Sequence, residues 1–178
     1  MVESLLREAM DQAQIPRGRD LAPAGVAPEA RTPLIVEVDA DFDLSAEETR
    51  LSEADAIVIR VGDQVGLHRA CAAVCRRARR GQTIALVSPV YLGATRELLV
   101  GPLAEAGFEV GRDICVVCTP PAPPGRPRVI GATGPVCVGK GRMAVAAEAS
   151  AVAVVSTPEA AELTVVLAEA LSVLTARG

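Results

Sequence analysis

Cysteine and histidine side chains occur at two places in the sequence where their spacing could bind a metal ion. His68, Cys71 and Cys75 would share one face of a helix, and Cys115 and Cys118 form a CxxC pair. Thiolate and imidazole are ligands that Zn²⁺ takes in proteins. The CxxC pair, however, lies in the apolar run DICVVCT, which is typical of a strand, where residues three apart point to opposite faces. We therefore predict no metal site, with the cysteines as small buried side chains and His68 as a partly buried helix residue.

The segment GPVCVGKG, residues 134–141, comes close to the phosphate-binding P-loop pattern G-x-x-x-x-G-K-[ST]. In that pattern backbone N–H groups surround the phosphates, the lysine reaches them and the last hydroxyl holds Mg²⁺. Here Gly141 stands at the hydroxyl position, and no acidic strand end supplies a second metal ligand. A glycine-rich surface turn, followed by a helix at residues 143–150, is the interpretation we favour. A P-loop-like nucleotide-binding site stays open as an alternative.

Four arginines, Arg76, Arg77, Arg79 and Arg80, crowd the end of a helix predicted over residues 64–81. Positive charge stabilises this end of a helix because it carries the negative pole of the helix dipole. A solvated helix end therefore explains the cluster, and we prefer it to an anion-binding site.

The composition argues against several classes of function. The 178 residues suffice for one domain, half of them are hydrophobic and only 2% are aromatic, so the core must consist of aliphatic side chains. The net charge of −4 argues against a nucleic-acid-binding protein, and no apolar run approaches the roughly 18 residues of a membrane span. Five cysteines without regular spacing and an N-terminus with early acidic residues fit a cytoplasmic protein better than a secreted one.

Apolar, strand-like runs alternate with helix-like segments in residues 34–178. This alternation predicts an α/β domain with a mostly parallel sheet flanked by helices. Before it, residues 1–13 have the spacing of an amphipathic helix, and residues 14–33 are a linker rich in proline and glycine. The strand candidates are PLIVEVD, DAIVIRV, TIALVS, DICVVCT, RPRVIGATG and AVAVVS.

The unit that runs from TIALVS through a helix to DICVVCT carries a resemblance to a known family. It contains Ser-Pro-Val at 88–90 and Tyr-Leu-Gly-Ala-Thr-Arg-Glu-Leu at 91–98, and Thr-Pro-Pro follows at 119–121. The nucleotide-sugar dehydrogenases of the UDP-glucose/GDP-mannose dehydrogenase family have S-T-V, P-x-G-T-T-R-E-L and S-P-E at these places, and the chain resembles them. Weaker similarity runs from about Leu51 to Leu174.

The resemblance implies a Rossmann-like sheet that lacks the N-terminal unit with the G-x-G-x-x-G pattern. Those glycines let the backbone approach the pyrophosphate of a dinucleotide, and the sequence does not contain the pattern. In the family a V-P-T loop and the S-T-V segment line the cofactor, and the matching residues here are Val61, Gly62, Ser88 and Pro89. We therefore expect no required cofactor, with NAD binding weakly if at all.

The resemblance also implies that the catalytic residues of the family are missing. Pro89 stands where relatives have a threonine that helps to hold a water, and Pro121 where they have a glutamate. Residues 159–164 match the family's E-A-E-M-A frame, but Val165 replaces the lysine and Glu169 the asparagine that stabilise an oxyanion. The nucleophilic cysteine of relatives lies in G-x-C-[FL]-P-K-D, which the sequence does not contain. No residue is therefore predicted to be catalytic.

A last helix is predicted from Pro158 to about Ala176, and it is apolar nearly all the way round. A surface helix needs only one apolar stripe, and monomers seldom expose a contiguous apolar patch. In the family a long helix at this place forms the dimer interface. The resemblance therefore implies a homodimer, or a complex with a related dehydrogenase, through this helix.

The function predicted from the sequence is that of a catalytically inactive relative of these dehydrogenases, acting as a scaffold, binding or regulatory domain. Its partners would be proteins, not nucleic acid or a membrane. One alternative is an active NAD-dependent dehydrogenase of UDP-glucose or GDP-mannose type, or a part of one that another chain completes. The second alternative is the P-loop-like nucleotide binder.

Overall fold

The computed structural model describes residues 32–43, 46–122, 127–145 and 151–175. The amphipathic helix predicted at 1–13 and nearly all of the linker predicted at 14–33 lie outside these residues. The strands are β1 (Ile35–Val38), β2 (Ala56–Ile59), β3 (Thr83–Leu86), β4 (Cys115–Cys118), β5 (Arg128–Ala132) and β6 (Val152–Val155). The helices are α1 (Glu48–Glu53), α2 (Gln64–Arg77), α3 (a π-helical turn, Arg96–Val100, continued by Gly101–Glu105), α4 (Pro135–Ala144) and α5 (Pro158–Thr175).

The six strands form one sheet in the order β1-β2-β3-β4-β5-β6. β1 to β4 run parallel, β5 runs antiparallel to β4, and β6 is parallel to β5. The mostly parallel, Rossmann-like α/β fold predicted from the sequence is thereby confirmed. In a dinucleotide-binding Rossmann sheet the strand order reverses, 3-2-1-4-5-6, whereas the first four strands here follow the chain in one direction.

Helices cover both faces of the sheet. The connections from β1 to β4 all step the same way, and right-handed crossovers then place their helices on one face. The sheet residues beneath that first layer are Val36, Ile57, Ile84 and Val116. The sheet residues of the second layer, beneath α4, are Val58, Ala85, Val117 and Ile130. These sheet residues are all aliphatic, and Phe42, Tyr91 and Phe108 pack against the first layer as partly buried side chains.

Three of the four clustered arginines at the end of α2 bind groups of the protein itself. The Arg79 guanidinium donates to the carbonyls of residues 52, 53 and 54 at 2.6, 2.9 and 2.8 Å, which close the end of α1. Arg77 and Arg80 form ion pairs with nearby carboxylates. Because the last carbonyls of a helix have no partner within it, Arg79 serves as a cap for α1. All four arginines are exposed, as predicted for a solvated helix end, and the bonds to α1 and to the carboxylates are an additional finding.

α5 confirms the long helix predicted from Pro158. Its first turns pack on β4 and β5, where Ala161 and Glu162 are completely buried. From Val166 onward every described side chain is exposed, so the described residues leave the second half of α5 uncovered. No helix of the described residues is long and apolar enough to cross a membrane.

Candidate functional site

The carboxyl ends of β1 to β4 meet at one edge of the sheet, which we call the carboxyl edge. In open α/β sheets, ligands bind in the crevice outside these ends. The residues predicted to line a cofactor lie there, since Val61 and Gly62 follow β2 and Ser88 and Pro89 follow β3. The structure thus brings the two predicted segments next to each other.

A hydrogen bond joins these two segments and occupies the serine hydroxyl. The Val61 N–H donates to Ser88 Oγ at 2.8 Å, and the Ser88 hydroxyl donates to the Ile59 carbonyl at 3.3 Å. The side chains of Val61 and Ser88 are buried, whereas Gly62 and Pro89 are exposed. A ligand at this place would therefore meet the backbone of a glycine and the ring of a proline rather than the serine hydroxyl.

The loop after β1 opposes the binding of a phosphate group. Its described residues, 39–43 and 46–47, contain three aspartates and no glycine. The Asp41 N–H donates to Asp39 Oδ1 at 3.0 Å, and the Ala46 N–H donates to Asp43 Oδ1 at 3.1 Å. Phosphate sites in proteins use free backbone N–H groups. Here two such groups are bound to the chain's own carboxylates, whose negative charge repels an anion.

The first turn of α2 is closed to anions in the same way. Helix N-termini attract anions because their first N–H groups lack partners and carry the positive pole of the helix dipole. Asp63 is the N-cap of α2, and its Oδ1 accepts the Gly66 N–H at 2.8 Å. A carboxylate of the protein therefore occupies the place that a phosphate would take.

Two glutamates of α5 hold the amino end of α3 at the carboxyl edge. Glu162 is completely buried, and its two oxygens accept the N–H groups of Gly93 at 2.6 Å and Thr95 at 2.7 Å. One turn earlier, Glu159 pairs with the Arg96 guanidinium at 2.6 Å. Such charge-assisted bonds satisfy the first donors of a helix and complement its dipole. The sequence matched both glutamates to the family's frame but did not reveal this role.

Four of the five described thiols are poorly suited to bind a metal ion or to attack a substrate. Burial raises the pKa of Cys71, Cys115 and Cys118 to about 12 and that of Cys75 to about 11, so these groups stay protonated at neutral pH. Cys115 belongs to the second apolar layer, whereas Cys118 lies near the amino end of α3. The two therefore point to opposite faces, as predicted. His68 is exposed, which corrects the prediction of a partly buried histidine, because it falls beside the buried stripe of α2.

The described residues contain no group of three or more histidine, cysteine or acidic side chains that could hold a metal ion.

The segment that resembles a P-loop is helical. α4 covers residues 135–144, so no loop surrounds a phosphate there. Lys140 Nζ donates to the Gly81 carbonyl at 3.3 Å. A side chain at Gly141 would not fit, because its Cβ would lie 2.8 Å from Val117 Cγ1. The P-loop alternative is therefore wrong, and so is the surface turn that we favoured: Gly141 allows the helix to approach the sheet closely.

A cavity of about 500 Å³ lies outside the carboxyl ends of β5 and β6, at a place that the sequence did not single out. α4 and α5 leave these parallel strands toward opposite faces, which opens a crevice between them. Arg96 and Glu159 line the cavity but are paired with each other. Thr157 Oγ1 accepts the Ala160 N–H at 3.2 Å and so caps α5. These groups are already satisfied within the protein and leave little net charge to attract a ligand.

No protein-family model matches the chain, and no curated protein matches it significantly. Solved structures do match. An NDP-N-acetyl-D-galactosaminuronic acid dehydrogenase from Methanosarcina mazei Go1 is 18% identical with a TM-score of 0.59, over 66% of this chain and 30% of that chain. A GDP-mannose dehydrogenase from Pseudomonas aeruginosa is 16% identical with a TM-score of 0.60, over 72% of this chain and 35% of that chain. A putative oxidoreductase from Mycobacterium avium 104 is 20% identical with a TM-score of 0.59, over 73% of this chain and 47% of that chain.

At these identities the likeness shows the fold alone. The chain spans about a third of the length of the two dehydrogenases.

Proposed function

We propose that this chain is a nucleotide-sugar dehydrogenase-like domain that does not itself oxidise a nucleotide sugar and acts as a scaffold, binding or regulatory domain. The dehydrogenases among its structural neighbours support the likeness in fold. The proposal depends most on one observation, which is that the described residues of the carboxyl edge offer the phosphates of a dinucleotide no cradle. Backbone N–H groups at this edge are already bound by Asp39, Asp43 and Asp63.

The side chains at the positions that match the family's catalytic residues have the wrong chemistry. A thiolate that forms a thiohemiacetal and a cation that stabilises its oxygen would be required. The described thiols with raised pKa values stay protonated at neutral pH. Pro89 and Pro121 carry no polar group, and Val165 carries no charge in place of the lysine. These residues support a binding role over a catalytic one.

The second half of α5 supports a role in a complex. A helix that is apolar all round is buried in a stable structure, yet Leu167, Leu171 and Leu174 of this helix are exposed. We infer that a second copy of the chain or a related dehydrogenase covers them. The alternative function, a part of an active dehydrogenase, would use the same surface, with the missing cysteine and cation supplied by the other chain.

Calorimetric titration with NAD tests the argument from the carboxyl edge. We expect no saturable binding in the low-micromolar range, because the carboxylates repel the pyrophosphate and occupy its donors. The matched variant, with Asp39, Asp41 and Asp43 all changed to Asn, removes the repulsion while it keeps side-chain oxygens that can accept the same hydrogen bonds. It should bind NAD at least as well as the unmodified chain. Low-micromolar binding by the unmodified chain would contradict the proposal.

A further inference from the structure

The cavity outside the carboxyl ends of β5 and β6 lies where ligands bind in open α/β sheets. Among the described strands, these two are the only parallel neighbours whose following helices lie on opposite faces, since α4 belongs to the second layer and Glu162 of α5 binds the start of α3 on the first. Such a switch point is the usual place of a ligand. The cavity volume of about 500 Å³ also falls within the roughly 300–1,000 Å³ of small-molecule sites.

The walls of this cavity are mainly aliphatic. Eight of the fourteen residues that line it are valine, alanine or proline. Val154, on the last strand, is 45% exposed. A ligand that covers these side chains removes apolar surface from water, which favours binding. The lining therefore suits a molecule with an apolar body.

The charged groups of the cavity do not select a charged ligand. In the described part of the chain, only Arg96 and Glu159 among the lining residues carry a charge, and they pair at 2.6 Å. The hydroxyl of Thr133 is bound to the backbone of Val116, and that of Thr157 caps α5. An ion that left water for this site would lose its hydration without gaining a free partner of opposite charge. The cavity therefore favours an uncharged ligand.

We propose that this cavity binds one uncharged, mainly apolar small molecule of two or three fused rings that carries a single hydrogen-bonding group. Ser156 lies exposed at the rim of the cavity, and its hydroxyl can both donate to and accept from such a group. The binding site goes beyond the function proposed above, because it requires neither the association through α5 nor the loss of oxidation.

Val154→Phe is the variant that fills the cavity. Val154 is half-exposed, so the strand has room for a larger side chain, and phenylalanine suits a strand. Val65→Phe is the matched control, since Val65 is 64% exposed on α2 and does not line the cavity. Ser156→Phe fills the exposed rim and decides the question if Val154→Phe does not fold. Circular dichroism shows which variants are folded.

Fluorescence titration of the full chain with aminoanthracene, an uncharged three-ring amine whose emission rises in apolar surroundings, tests the proposal. We expect saturable binding of one molecule per chain, equally tight in Val65→Phe and in Val166→Glu on α5. In Val154→Phe we expect a dissociation constant raised by about tenfold or more. Naphthol should displace the dye at a lower concentration than naphthoate, which has the same rings but a carboxylate.

Three results would overturn the proposal. The first is the absence of saturable binding to the unmodified chain. The second is a folded Val154→Phe variant that binds the dye as tightly as the unmodified chain, or a loss of binding in Val166→Glu, because the dye would then lie outside the cavity. The third is displacement by naphthoate at a lower concentration than by naphthol, which would contradict the preference for an uncharged ligand.

Discussion

At the scale of single residues, the position of α3 depends on Glu162. This carboxylate is buried, and its two oxygens bind N–H groups that lie 69 and 67 positions earlier in the chain. A match between residues 159–164 and the family's frame could be recognised from the sequence. The partners of Glu162, the N–H groups of Gly93 and Thr95, could not be predicted from the sequence. No local pattern connects α5 with the amino end of α3, which lies far earlier in the chain.

Changing Glu162 to Gln should destabilise the fold by roughly 1–3 kcal/mol, the cost of leaving a buried hydrogen-bonding group unsatisfied. A glutamine has one carbonyl oxygen, which can accept one of the two N–H groups. Its NH₂ group would then face the second N–H group, so two donors would meet without an acceptor. Chemical denaturation followed by circular dichroism measures the change in the free energy of unfolding.

Glu159→Gln is the control for this substitution, because its ion pair with Arg96 is partly exposed, with 72% of the arginine side chain accessible. Pairs of this kind contribute less than about 1 kcal/mol. Equal losses of stability in the two variants would show that Glu162 has no special part in holding α3.

Gly141 shows why a good local match can mislead. GPVCVGKG satisfies most of the P-loop pattern, and its glycines lower the intrinsic tendency to form a helix. The segment is nevertheless helical, because Gly141 lets α4 approach Val117 more closely than a side chain would allow. This contact exists only in the folded sheet, so the start of α4 well before the predicted residue 143 could not be recognised from the residues alone.

At the scale of elements, the strands that the sequence predicted best are the ones buried on both faces. Every residue of β2, β3 and β4 is buried, so these strands stood out as continuous apolar runs. The antiparallel direction of β5 was beyond prediction, since strand direction depends on how a connection crosses the sheet and not on the residues of the strand. α5 could be predicted because its apolar run starts at a proline suited to the first turn.

Changing Val166 of α5 to Glu should give a folded monomer, because a charge at this position would be buried without a partner in the proposed interface. Val166 is 41% exposed in the single chain, so its own domain tolerates the carboxylate. Light scattering measures the molar mass, and circular dichroism shows whether the variant is folded.

Val65→Glu is the matched control on α2, where Val65 is 64% exposed and away from α5. It should leave the association unchanged. An unfolded or aggregated Val166→Glu variant would place this residue in the core of the domain. A monomeric unmodified chain at high concentration would remove the interface altogether.

At the scale of the whole molecule, the described sheet resembles the folds of dehydrogenases. The described residues at its carboxyl edge, however, form no phosphate cradle. The order of β1 to β4 never reverses, so these strands lack the switch point at which Rossmann sheets bind a dinucleotide. The acidic loop after β1 and the Asp63 cap of α2 occupy donors that a cofactor would need. The exposed half of α5 is then the surface through which we expect the chain to act.

The most direct test of this account is the rate at which the purified chain reduces NAD with UDP-glucose or GDP-mannose, followed by the absorbance of NADH. A heat-inactivated sample of the same chain provides the background rate. We predict no formation of NADH above that background, because Asp39, Asp43 and Asp63 occupy backbone N–H groups at the described carboxyl edge, and because Val165 stands at the position that matches the family's lysine. Sustained formation of NADH by the pure chain would contradict the central claim.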